Sequence, residues 1–348
     1  MKRDTPGLPK HGWPAKLVWP LVGLGLLLAF NGVFTPGFFR VEIRDGHLYG
    51  TLIDILNRGS QVMLLALGMT LVIATAGVDL SVGAVMAISG AVAAVLVTTT
   101  TLPFAVVILV VLAVSVAGGI WNGLLVARFR LQPIVATLIL MVAGRGVAQL
   151  LTDGQIITFS DPRLVFIGNG HWMGLPFTTT IVAAALAVTW LLTRRTAAGL
   201  FIESVGGNET SSRYSGVNTR RIKTLVYAFS GLCAGVAGLI AASNIKCADS
   251  NHAGLYLELD AILAVVVGGT SLRGGRFYLL GSIVGAMLIQ TLTTTMYMRN
   301  VSSDVAPVPK ALVIVAVCLL QSSAFRAWLP GRIRVLRSLG RFRRENAA

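Results

Sequence analysis

Ten long runs of apolar residues, separated by short polar clusters, constrain this chain more than any other feature. They are Leu17 to Phe34, Val62 to Ala76, Leu80 to Val97, Leu102 to Ala127, Pro133 to Leu151, Thr178 to Thr193, Thr224 to Asn244, Leu257 to Thr270, Phe277 to Met298 and Val305 to Leu320. A helix of about 20 apolar residues crosses the ~30 Å hydrocarbon layer and satisfies its own backbone polar groups without water. A barrel strand would alternate apolar and polar residues, whereas these runs are apolar on every face. The expected fold is therefore an all-α polytopic membrane bundle of about ten transmembrane helices. Several runs are too short for a full crossing, which predicts broken or re-entrant elements. A mean hydropathy of +0.77, with 12% of residues charged, excludes a soluble globular domain.

Ten spans with a cytoplasmic amino terminus place most of the 29 basic residues on the inner side: Lys2, Arg3, Lys10, Lys16, Arg128, Arg130, the cluster from Arg194 to Lys223, Arg273, Arg276 and the tail from Arg326 to Arg344. That bias matches the positive-inside rule and accounts for the net charge of +15 without a nucleic-acid partner. The division is a cytoplasmic tail over 1–16, a transmembrane domain over 17–321 with a cytoplasmic loop at 194–223, and a basic tail over 322–348. No small-residue cleavage site follows Leu17 to Phe34, so it reads as an uncleaved first span. Cys233, Cys247 and Cys318 form no CxxC and imply no disulfide framework.

No phosphate-cradling GxxxxGK[ST] loop is present, so any nucleotide chemistry belongs to another chain. No HExxH or paired-Cys pattern supports a metal site. Asp79-Leu80-Ser81-Val82-Gly83 has a faint likeness to a serine-hydrolase elbow. Its first glycine is replaced by Asp79, and no span supplies a histidine base. An ion-coupled transporter acting alone would need a relay of titratable groups inside the membrane, where only Asp79 and Arg145 clearly stand.

Two stretches look like helix breaks, "GVDLSVG" and "LELDAILAVVVGGTSLRGGRFYLL". In the first, Gly77 and Gly83 flank Asp79 and Ser81, which can cap a new helix or contact a substrate. In the second, Gly268 and Gly269 interrupt two apolar segments. Such breaks often lie beside a transport path. Asn122, Gln149 and Gln290 are uncharged and can hydrogen-bond a substrate, although bonds between helices are the commoner use of such residues. Arg145 needs a partner, with Asp79, Glu258 and Asp260 as candidate carboxylates. GxxxG spacings at Gly119/Gly123, Gly231/Gly235 and Gly281/Gly285 predict close helix packing within the bundle.

The polar loop "RRTAAGLFIESVGGNETSSRYSGVNTRRIK" is far longer than a turn needs. It reads either as a basic linker at an anionic leaflet or as a short helix over Glu209 to Tyr214 that docks on a partner.

The chain resembles the ribose-type permease family of bacterial ABC sugar importers, and within it the galactofuranose importer permeases. "GVDLSVGAVMAISG" and "LELDAILAVVVGGTSLRGG" are similar to that family's two hallmark segments, and "GGNETSSRYSGVN" to its coupling loop. The similarity continues through "DILNR", "LLALGMTLVIATAG", "WNGLLVA" and "ATLILMVAGRGVAQLLTDGQIITF". The resemblance implies a non-catalytic permease of the ABC importer fold that moves a monosaccharide across the inner membrane. It implies two ATPase subunits that hold ATP and magnesium, a second permease, with a different chain favoured, and a periplasmic sugar-binding protein. This chain itself would bind no cofactor. Coupling would fall to Glu203, Gly207, Asn208, Glu209, Arg213 and Gly216. Ser211 and Ser212 replace the two alanines usual there, which lowers helix propensity slightly. Arg40, Arg44, Arg58, Arg163 and Arg299 would face the binding protein.

Overall fold

The computed structural model describes residues 13–44, 46–302, 305 and 307–321, so most of the 1–16 tail and all of the 322–348 tail lie outside the described residues. All ten apolar runs are helices. They are α1 (Trp13–Phe34), α2 (Thr51–Ala74), α3 (Val82–Thr99), α4 (Phe104–Ala127), α5 (Pro133–Leu151), α7 (Phe177–Arg195), α10 (Thr219–Ile245), α11 (Leu257–Val267), α12 (Leu279–Met298) and α13 (Pro307–Gln321). A short helix, α6 (Pro162–Asn169), lies between α5 and α7, and two more, α8 (Ala198–Gly207) and α9 (Glu209–Tyr214), fill the long polar loop. Antiparallel strand pairs join β1 (Glu42–Arg44) to β2 (His47–Tyr49), β3 (Ile157–Thr158) to β6 (Cys247–Ala248), and β4 (His171–Trp172) to β5 (Leu175–Pro176).

Eight of the helices are long and apolar enough to cross a membrane. Of the other two, α11 has 11 residues, the kind of short element the run lengths predicted, and α13 is described over 15 residues, Pro307–Gln321. At 1.5 Å per residue, α11 reaches about half of a bilayer.

Burial sorts the helices into a centre and a ring. The most apolar window of α2 is 78% buried and those of α3 and α10 are 72%, whereas α4, α5 and α7 each reach only 22%. The exposed part of the ring is itself apolar, with Leu109, Val142, Leu150 and Leu191 among many, which suits hydrocarbon as the solvent. The predicted GxxxG contacts lie inside the bundle. Gly119 and Gly123 of α4 meet Tyr227 and Thr224 of α10, Gly231 and Gly235 of α10 meet α4 at Ser115, and Gly281 and Gly285 of α12 meet Gly268 and Ala264.

Two clusters define the ends of the bundle. One joins Ala93, Val107, Phe159, Leu164, Leu239 and Ala248, and lies at the end of the β1–β2 hairpin. The other joins Leu71 and Ala74 of α2, Val126, Ala136, Ile202 of α8, Val226 and Phe277, and lies at the end of the long polar loop. Helices α4 and α10 run from one cluster to the other, with Val107 and Leu239 in the first and Val126 and Val226 in the second.

Candidate functional site

The site is built around the two broken segments. The first break follows α2, whose last turn closes with Gly77 N–H donating to the Val72 carbonyl at 3.1 Å. Ala76 adopts φ 60°, a left-handed turn that ends the helix. The Tyr227 hydroxyl donates to the Val78 carbonyl at 3.2 Å, and a Cβ at Gly77 would lie 2.6 Å from that hydroxyl, so glycine is needed there.

Asp79 is buried in the gap before α3. Its carboxylate accepts from Ser81 N–H at 3.1 Å, the Ser81 hydroxyl at 2.7 Å, the Ser230 hydroxyl at 2.8 Å and the Asn122 amide at 3.4 Å. Asn122 also donates to the Ser81 hydroxyl at 2.7 Å. Three elements are thereby fastened at one polar point. The capping expectation is altered in detail: Ser81 occupies the position before α3 but makes no side-chain cap bond. Its hydroxyl serves the network instead. Gly83, one residue into α3, lies against the backbone of Gly254 and the Glu258 carboxylate, where any Cβ would overlap both.

Arg145 finds none of the carboxylates proposed for it as a direct partner. Its guanidinium donates to the backbone carbonyls of Ser250 (3.3 Å) and Ala253. It holds the segment between β6 and α11, which descends from the hairpin end to Gly83 in mid-bundle. Gln149 reaches the same segment, its amide donating to the Asn251 side chain at 2.8 Å. Asp260 instead pairs with Lys310 of α13 at 2.8 Å. Gly268, at the end of α11, touches Gly281 of α12 backbone to backbone, and Gly269 turns the chain with φ 90°.

The polar loop carries two helices where sequence reasoning placed one. Helix α9 has the bounds Glu209–Tyr214. The Asn208 side chain accepts from Ser211 N–H at 2.9 Å at its start. At its end, Gly216 (φ 86°) and Val217 donate to the Arg213 and Ser212 carbonyls, closing a Schellman turn. Glu209 pairs with Lys223 at 2.5 Å, while Arg213 and Tyr214 project outward. Glu203 lies on α8. Gly206 and Gly207 end α8, and Gly206 packs on the Ala74 carbonyl, which also accepts from Gly275 N–H at 2.9 Å. The loop therefore touches the chain three residues before Gly77.

One feature is absent from the sequence reading: a cavity of about 700 Å³ opening at the hairpin end. Its walls include Asp54, Asn57, Arg58 and Gln61 from α2, Gln290, Thr293 and Tyr297 from α12, and the small residues Ala87, Gly90, Gly238 and Ala241 from α3 and α10. Its floor is Val62, Met86 and Leu257, and the first two belong to the central apolar core. The signal was available in the three- and four-residue spacing of Asp54, Asn57 and Gln61. Beside the mouth, His47 and His171 stack at 4.5 Å, and burial, with a smaller effect of His47, pushes the His171 imidazole below its ordinary value. Of the five arginines expected to face a binding protein, Arg40 and Arg163 are paired with Glu42 and Asp161, Arg299 donates to the Phe34 carbonyl, and Arg58 lines the cavity. The Arg44 side chain lies outside the described residues.

Among the described residues no cluster of His, Cys, Asp or Glu has the makings of a metal site.

Comparison with known proteins gives this arrangement its context. A family described as branched-chain amino acid transport system / permease component matches residues 51–320. The galactofuranose transporter permease protein YtfT of Escherichia coli K12 is 52% identical over 92% of this chain and 93% of its own length. The fructose import permease protein FruF of Bifidobacterium longum is 40% identical over 88% of each chain. The ribose import permease protein RbsC of Haemophilus influenzae is 39% identical over 86% of this chain and 90% of its own.

Proposed function

This chain belongs to the family of transport-system permease components, and from that premise we propose that it carries a monosaccharide through the inner membrane as one permease of an ATP-driven importer. It is a multi-pass membrane protein and a non-catalytic subunit. The family description speaks of amino acids, yet the relatives similar over most of their length are named for galactofuranose, fructose and ribose, which supports a sugar as cargo.

The observation that carries the mechanism is the opposition of two features. The cavity opens at the hairpin end and stops at Val62, Met86 and Leu257, while the polar loop packs on the far end of the same helix, α2, at Ala74. In this reading the hairpin end faces the periplasm and receives sugar from a binding protein. The loop end, with Arg194, Arg195, Arg220 and Arg221 around it, faces the cytoplasm. ATPase subunits, holding ATP and magnesium, dock on α9. Their closure pulls α8, shifts the α2 terminus through Gly206 and Gly275, and releases the floor of the cavity. A second, different permease completes the pore, its partner face being the exposed apolar surface of α5.

Purification of the importer through a tag on this chain, from the native host, tests the assembly. The reading expects an ATPase, a second permease and vanadate-sensitive ATP hydrolysis in the complex, with the ATPase lost when Arg213 and Tyr214 are both replaced by Ala. Recovery of the chain alone, from mild detergent, with full uptake activity would overturn it.

A further inference from the structure

The walls of the cavity hold polar groups that the bundle leaves unused. Gln61 makes no hydrogen bond within the described residues, although it stands one residue from the core residue Val62. Asn57 spends its carbonyl oxygen on the Thr178 hydroxyl, at 2.8 Å, which leaves its amide N–H₂ uncommitted. Gln290 uses only its amide nitrogen, in a long 3.4 Å contact to Thr294, so its oxygen is free. Gly59 lets the Gln290 stem close in on α2, since a Cβ there would lie 3.2 Å from the Gln290 side chain. Three side-chain amides from two facing helices thus offer free donors and acceptors to one space.

We propose that Asn57, Gln61 and Gln290 form a monosaccharide-binding site inside this single chain, above the floor of the cavity. The proposal rests on the sugar-importer reading and names where in the chain the sugar is held. Each sugar hydroxyl both donates and accepts, and a primary amide presents both functions on one rigid plane without charge. A free amino acid needs a cation for its carboxylate and acceptors for its ammonium group. The charged residues of the cavity do not meet that need at depth. Asp54 and Arg58 are exposed and stand about two turns and one turn of α2 nearer the mouth than Gln61, with Arg58 beside Asn57, and Asp249 is engaged by His252 at 2.8 Å. A volume of about 700 Å³ admits a hydrated monosaccharide and lies within the usual range of small-molecule sites. Gly90 and Gly238 bring α3 and α10 together along that wall, since a Cβ at Gly238 would overlap the Met86 backbone and Ser89.

The chain carries its own reporter. Cys247 is a free thiol in the cavity wall, whereas Cys233 is buried in the bundle. The importer, purified from its host and reconstituted in proteoliposomes, is treated with N-ethylmaleimide in the presence of D-galactose, D-ribose or D-fructose, and labelling of Cys247 is read by peptide mass spectrometry. The imported sugar slows Cys247 labelling, and L-leucine does not. Gln61→Leu and Gln290→Leu each raise KM for uptake about tenfold, the worth of a single hydrogen bond. Should either variant fail to insert, Cys247 protection in the wild-type importer decides the question. Sugar uptake with unprotected Cys247 overturns the site and leaves the importer reading standing. Uptake of L-leucine with no uptake of any sugar overturns the importer reading itself.

Discussion

Gly206 of α8 lies directly on the carbonyl oxygen of Ala74, the last residue of α2, at a distance that leaves no room for a side chain. The polar loop and the broken helix thereby share one backbone contact, reinforced by Gly275 N–H on the same oxygen. A Gly206→Ala variant must push α8 off α2, an overpacking cost of about 1–3 kcal/mol. Uptake falls while ATP hydrolysis by the complex continues, because docking and transport are uncoupled. Gly207→Ala, where a Cβ meets nothing within 4 Å, leaves both intact. Equal behaviour of the two variants in a coupled uptake and hydrolysis assay would refute the contact as a transmission point.

Asp79 answers to four donors at the entrance of α3. Asp79→Ala leaves the Ser230 and Ser81 hydroxyls and the Ser81 N–H without their acceptor, at roughly 1–3 kcal/mol for each group that stays unpaired. The melting temperature of the detergent-solubilised chain drops, and Asp79→Asn, which keeps the shape and one acceptor, drops it less. An unchanged melting curve for Asp79→Ala would show that the network does not fasten the break.

Lys310 and Asp260 tie α13 to α11 with side-chain exposures of only 17% and 13%. Removing one partner leaves a charge poorly solvated, whereas removing both does not. Lys310→Met and Asp260→Leu each destabilise, and the double variant is more stable than the sum predicts, with a coupling of about 0.5–3 kcal/mol in a melting experiment. Strict additivity would mean that the pair is incidental.

The stacked His47 and His171 make the hairpin end sensitive to acid. Burial holds the folded His171 below its ordinary 6.5, so the unfolded chain binds more protons than the folded one. Stability from this contact is full above 6.5 and declines as the pH falls from there to the folded value. Limited proteolysis of the hairpin accelerates over that window, and His171→Gln removes the dependence. Asp161, held low by its Arg163 partner, acts only in stronger acid. A proteolysis rate independent of pH in the wild-type chain would sink this account.

Much of the fold is legible in the sequence because hydrocarbon imposes a simple demand: an apolar run has no alternative to a helix. The break at Gly77–Asp79 is legible for the same reason, since a buried carboxylate needs a reason to be there. Helix α9 could be read from Asn208 and Gly216, whose cap and C-terminal roles are local. The partner of Arg145 could not. An unpaired arginine suggests a carboxylate, whereas this one takes two carbonyls of an irregular segment whose path depends on the contact of Gly83 with Gly254. The cavity was hidden because Asp54 and Arg58 suggest a loop, and the apolar run begins only at Val62. Helix α2 begins eleven residues earlier, at Thr51, and its polar stripe faces the stripe of α12 only in three dimensions.

The most direct test of the central claim is uptake by proteoliposomes containing the chain with and without its ATPase partners. ATP-dependent accumulation of a monosaccharide only in the complete assembly, insensitive to a collapsed ion gradient, is the expected result. Accumulation by this chain alone, driven by a proton or sodium gradient, would contradict the account.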